Sequence, residues 1–389
     1  MEEVRIREGG VARLARVQGN LRAEDRVLIQ ASEGSSVVVT GTASFDGGAE
    51  IDCDLECGSL RAENGLVRVN GSLTVHEDID VEDALYTRGN VTARDIDVGG
   101  KLSVGISLEA DSVDVGGSLE VQGNISARTV DVGGSFQVLG ESKLTDLDVG
   151  GRAEIGGGEV TGKIDIGGTF RSRKELKFNE IDAGGTIELC GGFGKEIDVG
   201  GKLESRGDLD CEEVDVGGIV DIQGNLNARE TQVGGRIGVS GDLGPVESLQ
   251  VGGVAEIGGV LSGVNAEVGG SLKASKGVLT GSARVGGLVN TTSGLKAQNI
   301  ELGKGGRCSG VLVGGRIVIE RRAHVEDVYC TDLEAEDGTT MGKVFAQNVE
   351  LGDGCTVEKV VYTGTLREGD GVRHVNPPQK TESLPPFPL

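Results

Sequence analysis

Tryptophan is absent from this 389-residue chain, and three Tyr and seven Phe bring aromatics to only 3%. That scarcity argues against a wide aromatic core and against a groove lined with rings for stacking on sugars. There are three histidines, His76, His324 and His374, far apart in sequence, too few and too scattered for a metal or acid–base cluster. Cysteine is present but unpatterned, at 53, 57, 190, 211, 308, 330 and 355; the close pair Cys53 and Cys57 is not a CxxC and has no second pair to complete a zinc site. These thiols read as reduced, small apolar or half-buried strand residues. Proline numbers six, five of them after residue 376, so the rest of the chain is almost free of it. No run approaches the roughly 18 apolar residues of a membrane span, and Met1 to Leu21 mixes charge and glycine, unlike a secretory leader. A soluble, cytoplasmic protein is the expectation, and no cofactor is implied.

Glycine is what the chain has in excess. Pairs begin at Gly99, Gly116, Gly133, Gly150, Gly167, Gly184, Gly200, Gly217, Gly234, Gly252, Gly269 and Gly286, with a degenerate copy at Gly303; the step is 17, apart from one 16 and one 18. A fixed short period means one supersecondary unit stacked many times. Apolar residues alternate around each pair, the period of a strand with one buried face. Ile96 and Val98 precede a pair, Leu102 and Val104 follow it, and Leu108 and Ala110 come next, a pattern repeated as Val113 and Val115, Leu119 and Val121, Ile125 and Ala127. Three short strands, six inward positions and glycine corners describe one rung of a triangular parallel β-helix, an all-β solenoid of about 17 residues per rung. Helical solenoids need i, i+3, i+4 spacing, collagen needs glycine at every third residue, and a propeller blade needs roughly 40 residues. None fits, and the stacked aliphatic columns account for the missing aromatics.

The repeat divides the chain into diverged rungs over 1–98, regular rungs over 99–303, irregular rungs over 304–375 and a proline-rich tail over 376–389, expected to be disordered or polyproline-like. Near copies of Val17-Gln18-Gly19-Asn20-Leu21-Arg22-Ala23 stand at 121–127 and 222–228, about six rungs apart each time, so the first hundred residues are expected to keep the coil in a more diverged form. Glu82-Asp83 stands where a glycine pair is due.

Charge is strongly one-sided, at −24, which makes bare nucleic acid an unfavourable ligand. Eight successive rungs carry an aspartate two residues before the pair: Asp97, Asp114, Asp131, Asp148, Asp165, Asp182, Asp198 and Asp215. Stacked one rung apart, at ~4.8 Å, these carboxylates repel by roughly 1 kcal/mol per pair in water unless compensated. Three readings compete: each Asp caps the N–H groups of the following turn, the column holds a row of cations, or it is a docking strip for a basic partner. Arg321, Arg322 and His324 form a small basic cluster, read either as an anion site or as a solvated strand face. No nucleophile, acid–base pair or metal set stands out, so no enzyme is expected.

The grammar of Val121-Gln122-Gly123-Asn124-Ile125-Ser126-Ala127-Arg128-Thr129-Val130-Asp131-Val132-Gly133-Gly134, with a proline-rich tail after the coil, resembles the bactofilins, polymer-forming cytoskeletal proteins. The resemblance covers roughly residues 15–372, a longer coil than is typical of that family. It implies a right-handed parallel β-helix that joins end to end into nucleotide-independent filaments. An open β-helix end exposes unpaired backbone groups, an independent reason for end-to-end contact. Val344, Phe345, Val360, Val361 and Tyr362 are the candidates for such a joint, with ordinary core packing as the alternative. Leu384, Phe387 and Leu389 are candidates for docking a protein partner on the tail. The expected function is a self-assembling structural scaffold; a monomeric rigid spacer or partner-binding rod is the alternative, and a polysaccharide-acting β-helix enzyme the third.

Overall fold

The computed structural model describes residues 2–386, in two compact units that divide at Gly194 and Lys195. All regular structure among the described residues is β-strand, in parallel pairings, coiled into about 22 turns of about 17 residues. A regular rung of the N-terminal unit runs through Asp95–Val98, Lys101–Val104 and Leu108–Glu109. Each strand lies in register on its equivalent in the next rung: Ile96 on Val113, Leu102 on Leu119, Leu108 on Ile125. Three parallel sheets result, referred to below as the first, second and third faces in that order. At some corners there is no break at all: Ile125–Val132 carries the third face of one rung directly into the first face of the next.

Alternation does the rest. Ile96, Val98, Leu102, Val104, Leu108 and Ala110 are all buried, while the residues between them face outward. On the second face the inward column reads Leu85, Leu102, Leu119, Phe136, Ala153, Phe170, Ile187, each 1% exposed or less. Each such aliphatic contributes on the order of 1.5–3 kcal/mol relative to exposure, so a narrow interior of this kind is stabilising rung by rung.

The corner between the first and second faces explains the glycine pairs. A Cβ at Gly133 would stand 2.3 Å from the carbonyl oxygen of Gly116, and one at Gly150 would stand 2.4 Å from that of Gly133. Close approach of stacked backbones, not a left-handed φ, is what demands glycine there. Glu82 and Asp83 escape the rule because the corner beneath them is shaped differently: Asn64 and Gly65 have φ of 52° and 141°. The Glu82 carboxylate then accepts a hydrogen bond from the Asn64 N–H, at 3.2 Å. Left-handed turns of this sort, at Gly9, Arg26 and Asn64 and again at Gly305, Arg322, Gly338, Gly354 and Gly371, replace the glycine pair in the rungs flanking the regular stretch. The diverged and irregular segments of the repeat are thus the same coil with another corner.

The coil extends through the first hundred residues in diverged form, as expected, but the heptapeptide at 17–23 does not occupy the point held by its near copies. Leu21 pairs with Ala43 on the first face, whereas Ile125 pairs with Leu108, and Leu226 with Leu209, on the third. Early rungs vary in length: the steps from Leu21 to Ala43 and from Leu60 to Ile79 are both longer than the regular one, which cannot be extrapolated through them. Any face accepts the peptide, because its information is only period-two apolarity beside a corner glycine. One expectation needs correction, and it concerns the tail. Gln379–Lys380 pairs in parallel with Val361–Tyr362, and the Thr381 N–H donates to the Tyr362 carbonyl at 2.8 Å, so the coil continues past residue 375. Pro377 and Pro378 lie at the corner before this strand, where no ladder N–H is required of them.

Candidate functional site

The aspartate column stands on the outward side of the first face. In the N-terminal unit Asp80, Asp97, Asp114, Asp131, Asp148, Asp165 and Asp182 lie in unbroken register. In the C-terminal unit Asp198 lies on Asp215, after which Gln232 and Gln250 take the position. The N–H groups of Gly99, Gly116 and Gly133 donate to the carbonyls of Val81, Val98 and Val115 in the preceding rung, at 2.9–3.0 Å, so the first glycine of each of these pairs spends its N–H on the ladder and not on an aspartate cap. Lys163 is a cation in contact with the column of the N-terminal unit, 3.2 Å from Asp165 and 3.1 Å from Asp182, and these bonds raise its pKa. Among the described residues no group of His, Cys, Asp and Glu is gathered to hold a metal ion.

The column is therefore a partly relieved row of like charges. Partial desolvation, and then repulsion from Asp131 and Asp165, raise the pKa of Asp148, while Lys163 opposes the shift. A carboxyl whose proton affinity is higher folded than unfolded contributes most at acid pH and loses that contribution as pH rises through the carboxylate range. Asp148→Asn is accordingly expected to stabilise the protein at pH 7, by about 0.2–1 kcal/mol, the range for opposed charges on a sheet. The gain should vanish near pH 3, where the carboxyl is protonated in both states. Urea midpoints at the two pH values measure this, and equal midpoints at pH 7 would refute it. Glu154 behaves oppositely: a hydrogen bond from Arg173 Nε at 2.6 Å lowers its pKa, a contribution present at neutral pH and lost in acid.

The real caps were not singled out in the sequence. Asn124 accepts from the N–H of Glu141, Asp208 from Asn225, Asn225 from Asp242 and Asp242 from Val260, at 2.7–2.8 Å, each reaching one rung onward. The Gly-Asn and Gly-Asp steps at 123–124, 207–208, 224–225 and 241–242 were their signal.

The joint candidates separate. Val344 and Val360 are fully buried in the third-face column beneath Leu312 and Val328, so core packing is their role and they offer no surface. Val361 is 7% exposed. Phe345 faces outward and stacks on Tyr329, with ring centroids 4.7 Å apart and planes 16° from parallel. Tyr362 has the Lys380 ammonium 5.8 Å from its ring centroid. Beyond all five comes the rung of Leu366–Glu368, Arg373–His374 and Gln379–Lys380, so they do not line the end of the coil. Of the tail candidates, Leu384 is half-buried between exposed neighbours, and Phe387 and Leu389 lie outside the described residues.

The remaining polar clusters are occupied by their own neighbours. Arg321 Nε is 3.5 Å from Glu336 and 3.8 Å from Asp337, which disposes of the anion-site reading for that side chain. His76 meets Glu56 at 3.1 Å in one unit, and His374 meets Glu368 in the other. Burial pushes the thiols of Cys57, Cys211, Cys308 and Cys330 up to about 12, so they pack as small apolar groups. A shallow groove at the third face of the N-terminal unit has a floor of Ala93, Ala110 and Ala127 and walls of Glu109, Asp111, Arg128 and Lys143, with His76 but no Phe or Tyr among its lining residues.

No protein-family model, curated protein or solved structure matches the chain. No helix of the described residues is long and apolar enough to cross a membrane.

Proposed function

We propose that this chain is a non-catalytic structural scaffold, of the kind the bactofilin resemblance implies, that associates end to end with copies of itself without nucleotide, in the cytoplasm. The observation that carries the reading is the strand edge of the first rung. Among the described residues, Glu2–Ile6 pairs on one side alone, with Gly19–Ala23, and Val11–Leu14 likewise with Val27–Ala31. Val4, Ala12 and Leu14 along it are half-exposed and Val11 is 65% exposed. An extended edge of unpaired backbone flanked by apolar side chains is a template for another chain. Supporting it is the monotony of the coil, in which rung after rung repeats the same core and the same ladder.

One observation favours the spacer alternative. The rung of Leu366–Glu368, Arg373–His374 and Gln379–Lys380 carries charge along its strands and Pro377 and Pro378 between them, features that blunt an edge. Sedimentation equilibrium and negative-stain microscopy without nucleotide decide between the readings. Self-association is expected, seen as a mass above 40.0 kDa that rises with concentration. Leu14→Lys, which points a charge inward at the first-rung edge, should abolish it. A 40.0 kDa species at every concentration would overturn the scaffold reading and leave the spacer.

A further inference from the structure

Only two of the chain's asparagines precede a glycine, in Asn64-Gly65 and Asn70-Gly71, and the structure treats the two oppositely. Asn64 stands at the left-handed corner between Asp54–Ala62 and Leu66–Val69. Its side chain is exposed and has no hydrogen-bond partner among the described residues. Other left-handed corners hold the nitrogen that comes next. Gly10 donates to the Arg7 carbonyl at 3.0 Å, Gly306 to that of Gly303 at 2.9 Å and Ala323 to that of Glu320 at 3.3 Å. Gly65 makes no such bond, and among the described residues its N–H has no acceptor. A free backbone nitrogen that no side chain of its own residue shields therefore lies next to a free side-chain amide.

Asn70 is held in place. Its N–H donates to the Ile51 carbonyl at 2.8 Å, and its Nδ2 donates to the Glu50 carboxylate at 3.0 Å and to that of Asp52 at 3.4 Å. Gly71 is pressed onto the neighbouring rung, where a Cβ would stand 2.6 Å from the Asp54 nitrogen. Neither partner of this second pair can move toward the other without losing ladder or carboxylate bonds.

We propose that the Asn64-Gly65 corner is a site of spontaneous covalent modification, at which asparagine converts in part to isoaspartate. The Gly65 nitrogen bonds to Cγ of Asn64, the Cγ–Nδ2 bond breaks, and ammonia leaves with the proton that the Gly65 nitrogen gives up. A cyclic imide results. Water then opens the ring at either carbonyl. Opening at Cγ leaves aspartate in an unaltered main chain; opening at the main-chain carbonyl leaves isoaspartate, with the main chain rerouted through Cγ. One water is taken up and one ammonia released, with no oxidant, cofactor or enzyme. Either product puts a carboxylate beside Glu63 and Glu82, and isoaspartate also lengthens the corner beneath Glu82 and Asp83.

Trypsin separates the two sites, since cleavage after Arg61, Arg68 and Arg88 puts Asn64 in residues 62–68 and Asn70 in residues 69–88. The folded full chain is incubated for weeks in heavy-oxygen water at mildly alkaline pH, then digested. Label uptake in 62–68 is expected to exceed that in 69–88 by about tenfold, the least that a hydrogen bond to a charged group is worth as a rate. Part of the labelled 62–68 should accept a methyl group from an isoaspartyl-specific methyltransferase, which esterifies the main-chain carboxylate that ring opening releases. In urea the two peptides should convert alike. Asn64→Gly keeps a residue suited to the left-handed corner and should leave the folded chain without methyl acceptance. Equal conversion of both peptides in the folded chain overturns the proposal, because the corner then adds nothing to the dipeptide. So does a folded chain that spares Asn64 while the unfolded chain does not, and so does labelled aspartate without isoaspartate, which would mean direct hydrolysis with no imide.

Discussion

Gly133→Val is expected to destabilise the N-terminal unit by about 3 kcal/mol, the upper end of what overpacking costs. The reason is geometric and local. A Cβ at this corner would lie 2.3 Å from the Gly116 oxygen and 3.2 Å from its carbonyl carbon, both backbone atoms of a corner repeated above and below. No rotamer relieves a clash made by Cβ itself, and the ladder on either side keeps the rungs from separating. Asp83→Ala is the control, because Asp83 takes the second position of the same corner, in a rung that lies over a left-handed turn, and is exposed. Its effect should stay within about 0.5 kcal/mol of zero, as for an ordinary surface substitution. Urea denaturation of both variants decides the matter. If Gly133→Val costs no more than Asp83→Ala, the glycine pairs are not there for close approach.

The same corner shows how far the sequence could be read. Period-two apolarity and a glycine pair at a fixed step of about 17 residues determine the parallel solenoid, because only a stacked three-strand rung satisfies both. The glycine requirement is a relation between a corner and the one beneath it, so Glu82-Asp83 looked like decay of the repeat when it marks a change of corner shape at Asn64. The register of Leu21 was likewise hidden, since spacing reports rung length only where rung length is constant. For the aspartate column, position was legible but partner was not. An Asx cap and a solvated carboxylate have the same spacing, and what bears on the choice is structural: the N–H groups of Gly99, Gly116 and Gly133 are spent on ladder bonds to Val81, Val98 and Val115. The Tyr329 and Phe345 stack was not legible because the rungs around it take a shorter step, from Val328 to Val344 and on to Val360, and so fall outside the frame that the glycine pairs set.

Phe136→Ala should have the larger effect of the two, about 3–5 kcal/mol, with a consequence specific to a stacked coil. Phe136 is 1% exposed, between Leu119 above and Ala153 below in the second-face column, and Phe170 lies beyond Ala153. The two phenylalanines bracket the smallest residue of the column, so the rings fill volume that Ala153 leaves empty. Removing one ring joins its space to that already lent by Ala153, and the ladder prevents the rungs from closing over the gap. Ala153→Leu alone is then an overpacking substitution, expected to cost about 1–3 kcal/mol. In the Phe136→Ala background the same substitution should be neutral or stabilising, because the added methyl groups enter the cavity. That change of sign is a coupling between neighbours, and a double-mutant cycle reads it directly; additive effects would show that the column is not packed by complementary volumes. Since each rung touches only the rungs beside it, faster amide exchange in Phe136→Ala should be confined to the rungs around Leu119 and Ala153. Exchange that quickened equally as far away as Leu21 would mean the N-terminal unit opens as one body, and its stability would then reside in the continuity of the ladder more than in any single rung.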